Sequence, residues 1–466
     1  MSFVTQTELR GRLAQTLSDL YGTEVPAYTT LLEVAQEVNV DFQATHPRSA
    51  EIFGSIERVT AERHGAIRVG STKELAQVAT VFAAAGMVPV NFYDLRDAKP
   101  NPIPVVSTAF RPIDRSELAK NPFRVFTSLL VPEDRRFFSE EVECELKEFI
   151  SRRVLFPARL LELAETSKCN QGLATDEAVE YLQLTAAAFA LSDDPVDRAW
   201  YDRLEAISSV AADIGGVAST HINHLTPRVL DIDELYRRME ERGIKMIDSI
   251  QGPPHWDGPN LLLRQTSFKA LSEPRLFAEA DGSLSAGEMR VRFGEVEARG
   301  IALTPSGRNR YDTMMSLTDQ RQAETGRPRA EVAREVWAEN CPPNDRELIR
   351  EGFAYFTFHA EAPANASGRP TDLMGLLDGG WLRAEPIVYE DFLPRSAAGI
   401  FASNLSGDGA VDSSQGETVR DAAWMSDQIG VPVLNSVDIY SAESDASLAA
   451  ALQTLELDLD EVMRSF

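Results

Sequence analysis

The chain of 466 residues is longer than a single compact core usually requires, so we expect one large two-lobed domain or two fused modules. Its formal net charge of -26 argues against nucleic acid as a partner, because an acidic surface repels phosphate backbones. The three scattered cysteines argue against a disulfide framework, and no apolar stretch has bilayer length or the pattern of a signal-peptide core, so we expect a cytoplasmic protein without membrane contact.

The N-terminal half begins with a predicted helical segment, residues 1–63, followed by a first β-α-β-β-β unit at residues 64–130. This unit opens with the strand GAIRVG and continues with an amphipathic helix and three further strands. Ser71 and Glu74 form a capping-box pattern, which predicts the first turn of that helix.

Residues 131–217 show apolar faces with a period of 3.6 and are predicted to be a helical insertion. Residues 218–300 then repeat the order of the first unit, with the strand HINHLTPRV followed by a helix that Asp231 caps. Three strands are predicted to complete this second unit, IKMIDSI, NLLLRQTSF and MRVRFGEVEAR.

These elements predict an α+β protein in which two β-α-β-β-β units form a barrel-like shell around a shared cavity. One such unit covers only one face of its curved sheet, which is why we expect the two to join. Residues 301–466 form a mixed region of helices and loops, which we expect to close the cavity.

Histidines at equivalent places of the two units are the first candidates for chemistry. His64 lies at the start of the first strand of unit one, and His221 and His224 lie at the matching place of unit two. Because side chains alternate along a strand, only one of the latter two can face the cavity. We favour His224, which shares a face with Ile222 and Thr226, while a buried, hydrogen-bonded histidine remains the alternative at either position.

The last strand of unit two supplies a carboxylate. Glu295 continues an apolar stripe, where a carboxylate is costly to bury unless it is paired or binds a cation. Glu297 follows on the same face, nearer the strand end. Two imidazoles and one carboxylate suit iron(II) because they leave positions open for a bidentate 2-oxo acid and dioxygen, although zinc accepts the same ligands.

Arg68 lies four residues after His64 and therefore shares its face of the strand. A guanidinium in this place binds a second carboxylate of the substrate, or else forms a surface ion pair. Near the C-terminus, Ser403 is a candidate to hydrogen-bond a ligand, although the small residues around it also suit helix packing.

Seven segments together resemble the 2-oxoadipate dioxygenase/decarboxylase family over nearly the whole chain. Their joint occurrence is far more specific than any one segment. That family is similar to the vicinal-oxygen-chelate superfamily, whose modules are paired β-α-β-β-β units. The segments are AERHGAIRVG, STAFRPID, NPFRVFTSLL, HINHLTPRVLDID, LLRQTSFKAL, RFGEVEARGIALTP and YEDFLPRSAAGIF.

The resemblance implies that His64, His224 and Glu295 bind Fe(2+), with Glu295 favoured over Glu297. It also implies conversion of 2-oxoadipate, a small 2-oxo dicarboxylate, and O2 into D-2-hydroxyglutarate and CO2, in lysine catabolism.

The resemblance further implies that Arg68 acts in catalysis by binding the substrate, and that Ala402 and Ser403 also contact it. Two other functions remain alternatives. One is a zinc- or manganese-dependent isomerase or hydrolase on the same shell, and the other is a metal-dependent ligand-binding protein without turnover. The sequence decides neither the chain length of the substrate nor the oligomeric state, for which we expect a monomer.

Overall fold

The structure is a computed structural model, and it describes residues 3–46, 56–98, 102–290, 292–362, 368–393 and 419–463. Helices and strands both occur throughout these ranges, as expected for the α+β class. No helix in the described part of the chain is long and apolar enough to cross a bilayer.

The helices of the described residues begin mostly at Ser, Thr, Asp or Asn, whose side chains accept hydrogen bonds from free backbone N–H groups. In chain order they are α1 (Gln6–Glu24), α2 (Pro26–Thr45), α3 (Ile56–Ala61), α4 (Thr72–Ala83), α5 (Arg115–Lys120), α6 (Glu140–Arg152), α7 (Ala158–Asn170), α8 (Thr175–Phe189), α9 (Arg198–Glu205), α10 (Ser209–Gly215), α11 (Ile232–Glu241), α12 (Pro305–Thr325), α13 (Arg329–Asn340), α14 (Asp345–Arg350), α15 (Leu373–Asp378), α16 (Ala422–Ile429), α17 (Ser436–Thr454) and α18 (Leu459–Met463).

The strands are short, and several of them are buried on both faces. In chain order they are β1 (Phe3–Thr5), β2 (Arg63–Val69), β3 (Val88–Asp94), β4 (Val105–Arg111), β5 (Arg124–Leu130), β6 (Gly172–Ala174), β7 (Val196–Asp197), β8 (His224–Pro227), β9 (Leu263–Ser267), β10 (Glu273–Ala278), β11 (Leu284–Met289), β12 (Glu295–Arg299), β13 (Phe356–Ala360) and β14 (Leu382–Pro386).

The largest sheet has the strand order β3-β4-β5-β2-β8. Its first four strands and α4 lie within the predicted first unit, where β2 runs parallel to β5 while β3, β4 and β5 pair antiparallel. The capping box predicted at Ser71 and Glu74 is present at the start of α4. The fifth strand, β8, comes from the second unit and pairs antiparallel with β2.

The second unit is less regular than predicted. The segment 244–250 is not a strand, because its pairing with β9 is uneven. Isolated bridges join Met246 to Phe268 and Gln251 to Gln265. Two extra residues therefore lie on one side of the ladder and interrupt it.

The predicted strand 289–299 is also divided, since β11 ends at Met289 and β12 begins only at Glu295. Next to the break, Gly294 packs so tightly that an added Cβ would lie 2.0 Å from the Phe268 ring. The strands β10 and β11 form a hairpin between β9 and β12. They belong to a separate three-stranded sheet with β7.

The barrel-like shell expected from the sequence is not closed within the described residues. The strands β9 and β12 form a two-stranded sheet of their own, and the isolated bridge between Glu297 and Arg228, just after β8, does not extend into a ladder with the main sheet. The four-residue β8 is too short to carry a continuous ladder from one unit to the other. The proposed division of the chain into five segments remains a prediction.

The two faces of β2 are buried against different cores. Ile67 and Val69 pack into a cluster shared with α1, α4 and α7. Ala66 packs into a second cluster with Phe126 and Phe392. His64 and Arg68 alternate with the first pair, so their side chains lie on the same face as Ala66.

Candidate metal centre

Three buried side chains from β2, β8 and β12 come together where the main sheet meets β12. His64 lies on β2. His224 lies on β8, opposite Ala66 of β2, and Glu295 is the first residue of β12. One ligand atom of each lies within 4.8 Å of the others, which is the spacing of ligands around one metal ion. We call His64, His224 and Glu295 the metal-sized group. These are the three residues that the sequence pattern indicated as metal ligands.

The donor atoms of these residues converge on one point. Nε2 of His64 lies 3.4 Å from Oε2 of Glu295, and Nδ1 of His224 lies 3.6 Å from Oε1 of the same carboxylate. The two imidazole rings are 5.4 Å apart and nearly perpendicular. Among the described residues, Nδ1 of His224 is buried and has no hydrogen-bond partner. Such an orphaned nitrogen beside a carboxylate fits a divalent cation.

The electrostatics of the site also fit a bound cation. Burial raises the pKa of Glu295, which shows the cost of holding its negative charge away from water. Burial lowers the pKa of His224 well below its usual range, and the positive charge of Arg68 acts in the same direction. A neutral imidazole is the form that binds a metal, and a cation compensates the buried carboxylate.

Glu297 occupies a different environment from Glu295. Its Oε2 lies 2.8 Å from Nδ1 of His64, and Arg299 donates to both of its carboxylate oxygens, over 2.7 and 2.9 Å. Burial opposes its ionisation, but Arg299 and His64 outweigh it and lower the pKa of Glu297 to about 2. Glu297 therefore contacts the Nδ1 side of the His64 ring, whereas Glu295 lies on the Nε2 side.

His221 likewise has a partner of its own. Its Nε2 lies 3.2 Å from Oδ1 of Asp213 and 3.1 Å from Nδ2 of Asn223. The side chain thus contacts α10, and it is not a member of the metal-sized group.

Arg68 is buried beside the site, where its charge contributes to the lowered pKa of His224. Its Nη1 donates to Oδ2 of Asp213, and its backbone carbonyl accepts a hydrogen bond of 2.7 Å from Thr220. The predicted ion pair of Arg68 therefore exists, but it lies in the interior and not at the surface. Ala402 and Ser403 lie outside the described residues.

Two residues near the site were not found from the sequence. Phe392 places its ring edge-on to His64, 4.9 Å between ring centres, and also packs on Phe126. Asp213, the partner of Arg68, lies on α10, all seven residues of which are buried. The only sequence signals were an aromatic residue within YEDFL and one acid within an apolar helix, and neither is specific.

A cluster of buried charges lies behind Glu297. Glu62 accepts from Arg228 at 2.8 Å and lies 2.8 Å from Arg124, which also pairs with Glu390. A distance of 3.7 Å separates Arg124 from Glu297 and links the cluster to the site. These pairs hold strands of both units and the C-terminal region together around the metal-sized group.

Comparison with known proteins gives consistent matches. The family model described as 2-oxoadipate dioxygenase/decarboxylase matches residues 13–404. The chain is 52% identical over 435 residues to the protein of that name from Mycobacterium tuberculosis, covering 93% of this chain and 96% of the relative. It is 39% identical over 471 residues to the Pseudomonas putida protein of the same name, covering 98% of both. The crystal structure of hydroxyglutarate synthase from Pseudomonas putida in complex with 2-oxoadipate superposes with a TM-score of 0.83 at 38% identity, covering 98% of this chain and 100% of that one.

Proposed function

This chain belongs to the 2-oxoadipate dioxygenase/decarboxylase family, and we propose that it is the enzyme that converts 2-oxoadipate and O2 into D-2-hydroxyglutarate and CO2 with iron(II). The observation that carries the proposal is the buried group of His64, His224 and Glu295, whose donor atoms converge within 4.8 Å. The relative with 38% identity whose structure contains 2-oxoadipate supports the substrate.

In this proposal, His64, His224 and Glu295 hold the metal. Two imidazoles and one carboxylate leave other coordination positions open, as iron(II) oxygenases require. Iron(II) in such a site supplies dioxygen binding and the redox chemistry of oxidative decarboxylation. Zinc fits the same donors, so metal identity belongs to the proposal.

The remaining residues orient the substrate and keep the site dry. Arg68 binds the distal carboxylate, which fixes the substrate chain relative to the metal and reduces the orientational entropy lost before reaction. Phe392 packs against the His64 ring, and we expect it to exclude water from that side of the site. We assign Ala402 and Ser403 as further substrate contacts.

The reaction divides a six-carbon 2-oxo dicarboxylate into a five-carbon hydroxy dicarboxylate and CO2, and both oxygen atoms of O2 enter the products. The distal carboxylate is unchanged, so it can remain bound to Arg68 throughout. A guanidinium suits this role because its planar donors recognise carboxylates and it stays charged at all relevant pH values.

The test is oxygen uptake by iron(II)-loaded protein with 2-oxoadipate, with products identified by mass spectrometry. We expect one equivalent of O2 consumed for each 2-hydroxyglutarate formed. Glu295→Gln is the matched control and should show no uptake, because it loses a metal ligand.

Two outcomes contradict the proposal. Turnover by zinc-loaded protein without oxygen uptake would indicate an isomerase or hydrolase. Ligand binding without any product, in protein shown to hold iron, would indicate a binding protein.

We place this reaction in lysine catabolism, in the cytoplasm and in a monomeric enzyme. The small number and wide spacing of the three cysteines support a reducing compartment.

A further inference from the structure

We propose that Asp213 is a positioning and specificity-determining residue, which fixes the guanidinium of Arg68 so that it receives the distal carboxylate of a dicarboxylic substrate. This inference rests on the proposed function. It assigns to the helical insertion a direct part in substrate selection, through a residue that contacts Arg68 and not the metal-sized group.

The contact between the two residues is buried and direct. Nη1 of Arg68 donates to Oδ2 of Asp213, and the two side chains are only 4% and 1% exposed. Burial opposes ionisation of Asp213, but His221 and Arg68 hold its pKa well below the usual range, so it is charged at neutral pH. The carboxylate therefore compensates the charge of the buried guanidinium before any substrate arrives.

Asp213 is a fixed partner and not a temporary occupant of the substrate position. Nδ2 of Asn223 donates to its Oδ2 over 2.9 Å, and Nε2 of His221 lies 3.2 Å from its Oδ1. All seven residues of α10 are buried, so the helix cannot swing the carboxylate away without breaking the core around it.

One short segment connects Asp213 and Arg68 to a proposed metal ligand. Thr220 donates a hydrogen bond of 2.7 Å to the Arg68 carbonyl, and Asn223 pairs with the backbone of Ala66 at 2.9 Å. His224 follows Asn223 directly in the chain. Residues 220–224 therefore fix the distance between the guanidinium and the metal-sized group.

A fixed distance selects substrates by length and by charge. A guanidinium has five N–H donors in one plane and can bind two carboxylates side by side, here Asp213 and the end of the substrate. A 2-oxo acid that lacks the distal carboxylate, such as 2-oxohexanoate, gains nothing from this arrangement. A shorter diacid such as 2-oxoglutarate should bind less well, because its distal carboxylate lies closer to the 2-oxo acid end.

The experiment uses Asp213→Asn, which retains the size of the side chain and removes its charge. We expect KM for 2-oxoadipate to rise about tenfold, the loss of roughly one charge-assisted hydrogen bond, while kcat and iron content stay within about twofold. The constants for 2-oxohexanoate should be unchanged, so the preference for the dicarboxylate falls by the same factor. Asp202→Asn, an exposed carboxylate on α9, is the matched control and should behave as the wild type.

Two results overturn the inference. An equal loss with 2-oxoadipate and 2-oxohexanoate would show a merely structural role, and tighter binding of 2-oxoadipate would show that Asp213 competes with the substrate. His221→Gln, which weakens the support of Asp213 without removing its charge, should shift KM for 2-oxoadipate in the same direction by a smaller factor. The inference is also overturned if KM for 2-oxoadipate is unchanged in both Asp213→Asn and His221→Gln.

Calorimetric titration of both 2-oxo acids into iron(II)-loaded protein under nitrogen separates this inference from the proposed function. Selective weakening of 2-oxoadipate binding in Asp213→Asn supports the positioning role even when the wild type consumes no oxygen. Equal affinity of the wild type for the two acids overturns it even when the wild type is active.

Discussion

Nδ1 of His64 lies 2.8 Å from a carboxylate oxygen of Glu297, while Nε2 of the same ring faces Glu295 at 3.4 Å. A carboxylate at one ring nitrogen holds the proton there and leaves the lone pair of the other nitrogen for a metal. The two glutamates, which lie two residues apart on one strand face, therefore have separate tasks in the proposed site.

We predict that Glu297→Gln weakens metal binding without abolishing it. The amide can still hydrogen-bond His64, but the loss of charge reduces the basicity of the ring, so we expect metal affinity to fall about 10- to 100-fold. Competitive metal titration with a chelator measures this change. The companion variant Glu295→Gln should bind no metal at equal concentrations, and a reversal of the two results would move the ligand to Glu297.

Arg68→Ala should mainly impair substrate binding. The variant removes the guanidinium that receives the distal carboxylate, so we expect KM for 2-oxoadipate to rise roughly 100-fold, as for the loss of two charge-assisted hydrogen bonds. Iron content, measured by atomic absorption, should stay at the wild-type level because Arg68 supplies no metal ligand. An unchanged KM would exclude the role proposed for this arginine.

Phe392→Ala should destabilise the protein without removing the metal. The ring packs on both His64 and Phe126, so its truncation leaves a cavity beside the site. We expect the free energy of unfolding to fall by about 3–5 kcal/mol, measured by denaturant titration. Phe392→Leu fills most of the space, so its free energy of unfolding should fall clearly less. An equal fall in the two variants would argue against a packing role.

Arg124→Met should be strongly destabilising. Its guanidinium lies between Glu62 and Glu390, and the methionine would leave both carboxylates buried without this partner. Breaking such a pair costs about 3–5 kcal/mol of unfolding free energy, which denaturant titration at neutral pH would detect. Arg152→Ala, at an exposed ion pair on α6, should change stability little. Equal stability of the two variants would contradict the prediction.

The sequence by itself determined the features that depend on neighbouring residues. The capping box at Ser71 and Glu74 and the helix capped by Asp231 both lie where local patterns predicted them. Their hydrogen bonds join residues three or four positions apart, so the information is complete within one short segment. The same holds for the alternation that placed His64 and Arg68 on one face of β2.

The similarity of the two predicted units also indicated residues of the candidate site. Equivalent positions in two similar units pointed to His64 and His224, and an apolar stripe pointed to Glu295. The structure places these three side chains together. Their role as ligands remains a prediction, which the metal titrations above address.

Only the tertiary structure decided how the units join and what surrounds the site. The open shell follows from the length of β8 and from the two extra residues that interrupt pairing beside β9, and a hydrophobic pattern does not specify such registers. The partner of Arg68 lies 145 residues away on another element. A buried ion pair over that separation has no local sequence signal, because its energy depends on burial and distance that exist only after folding.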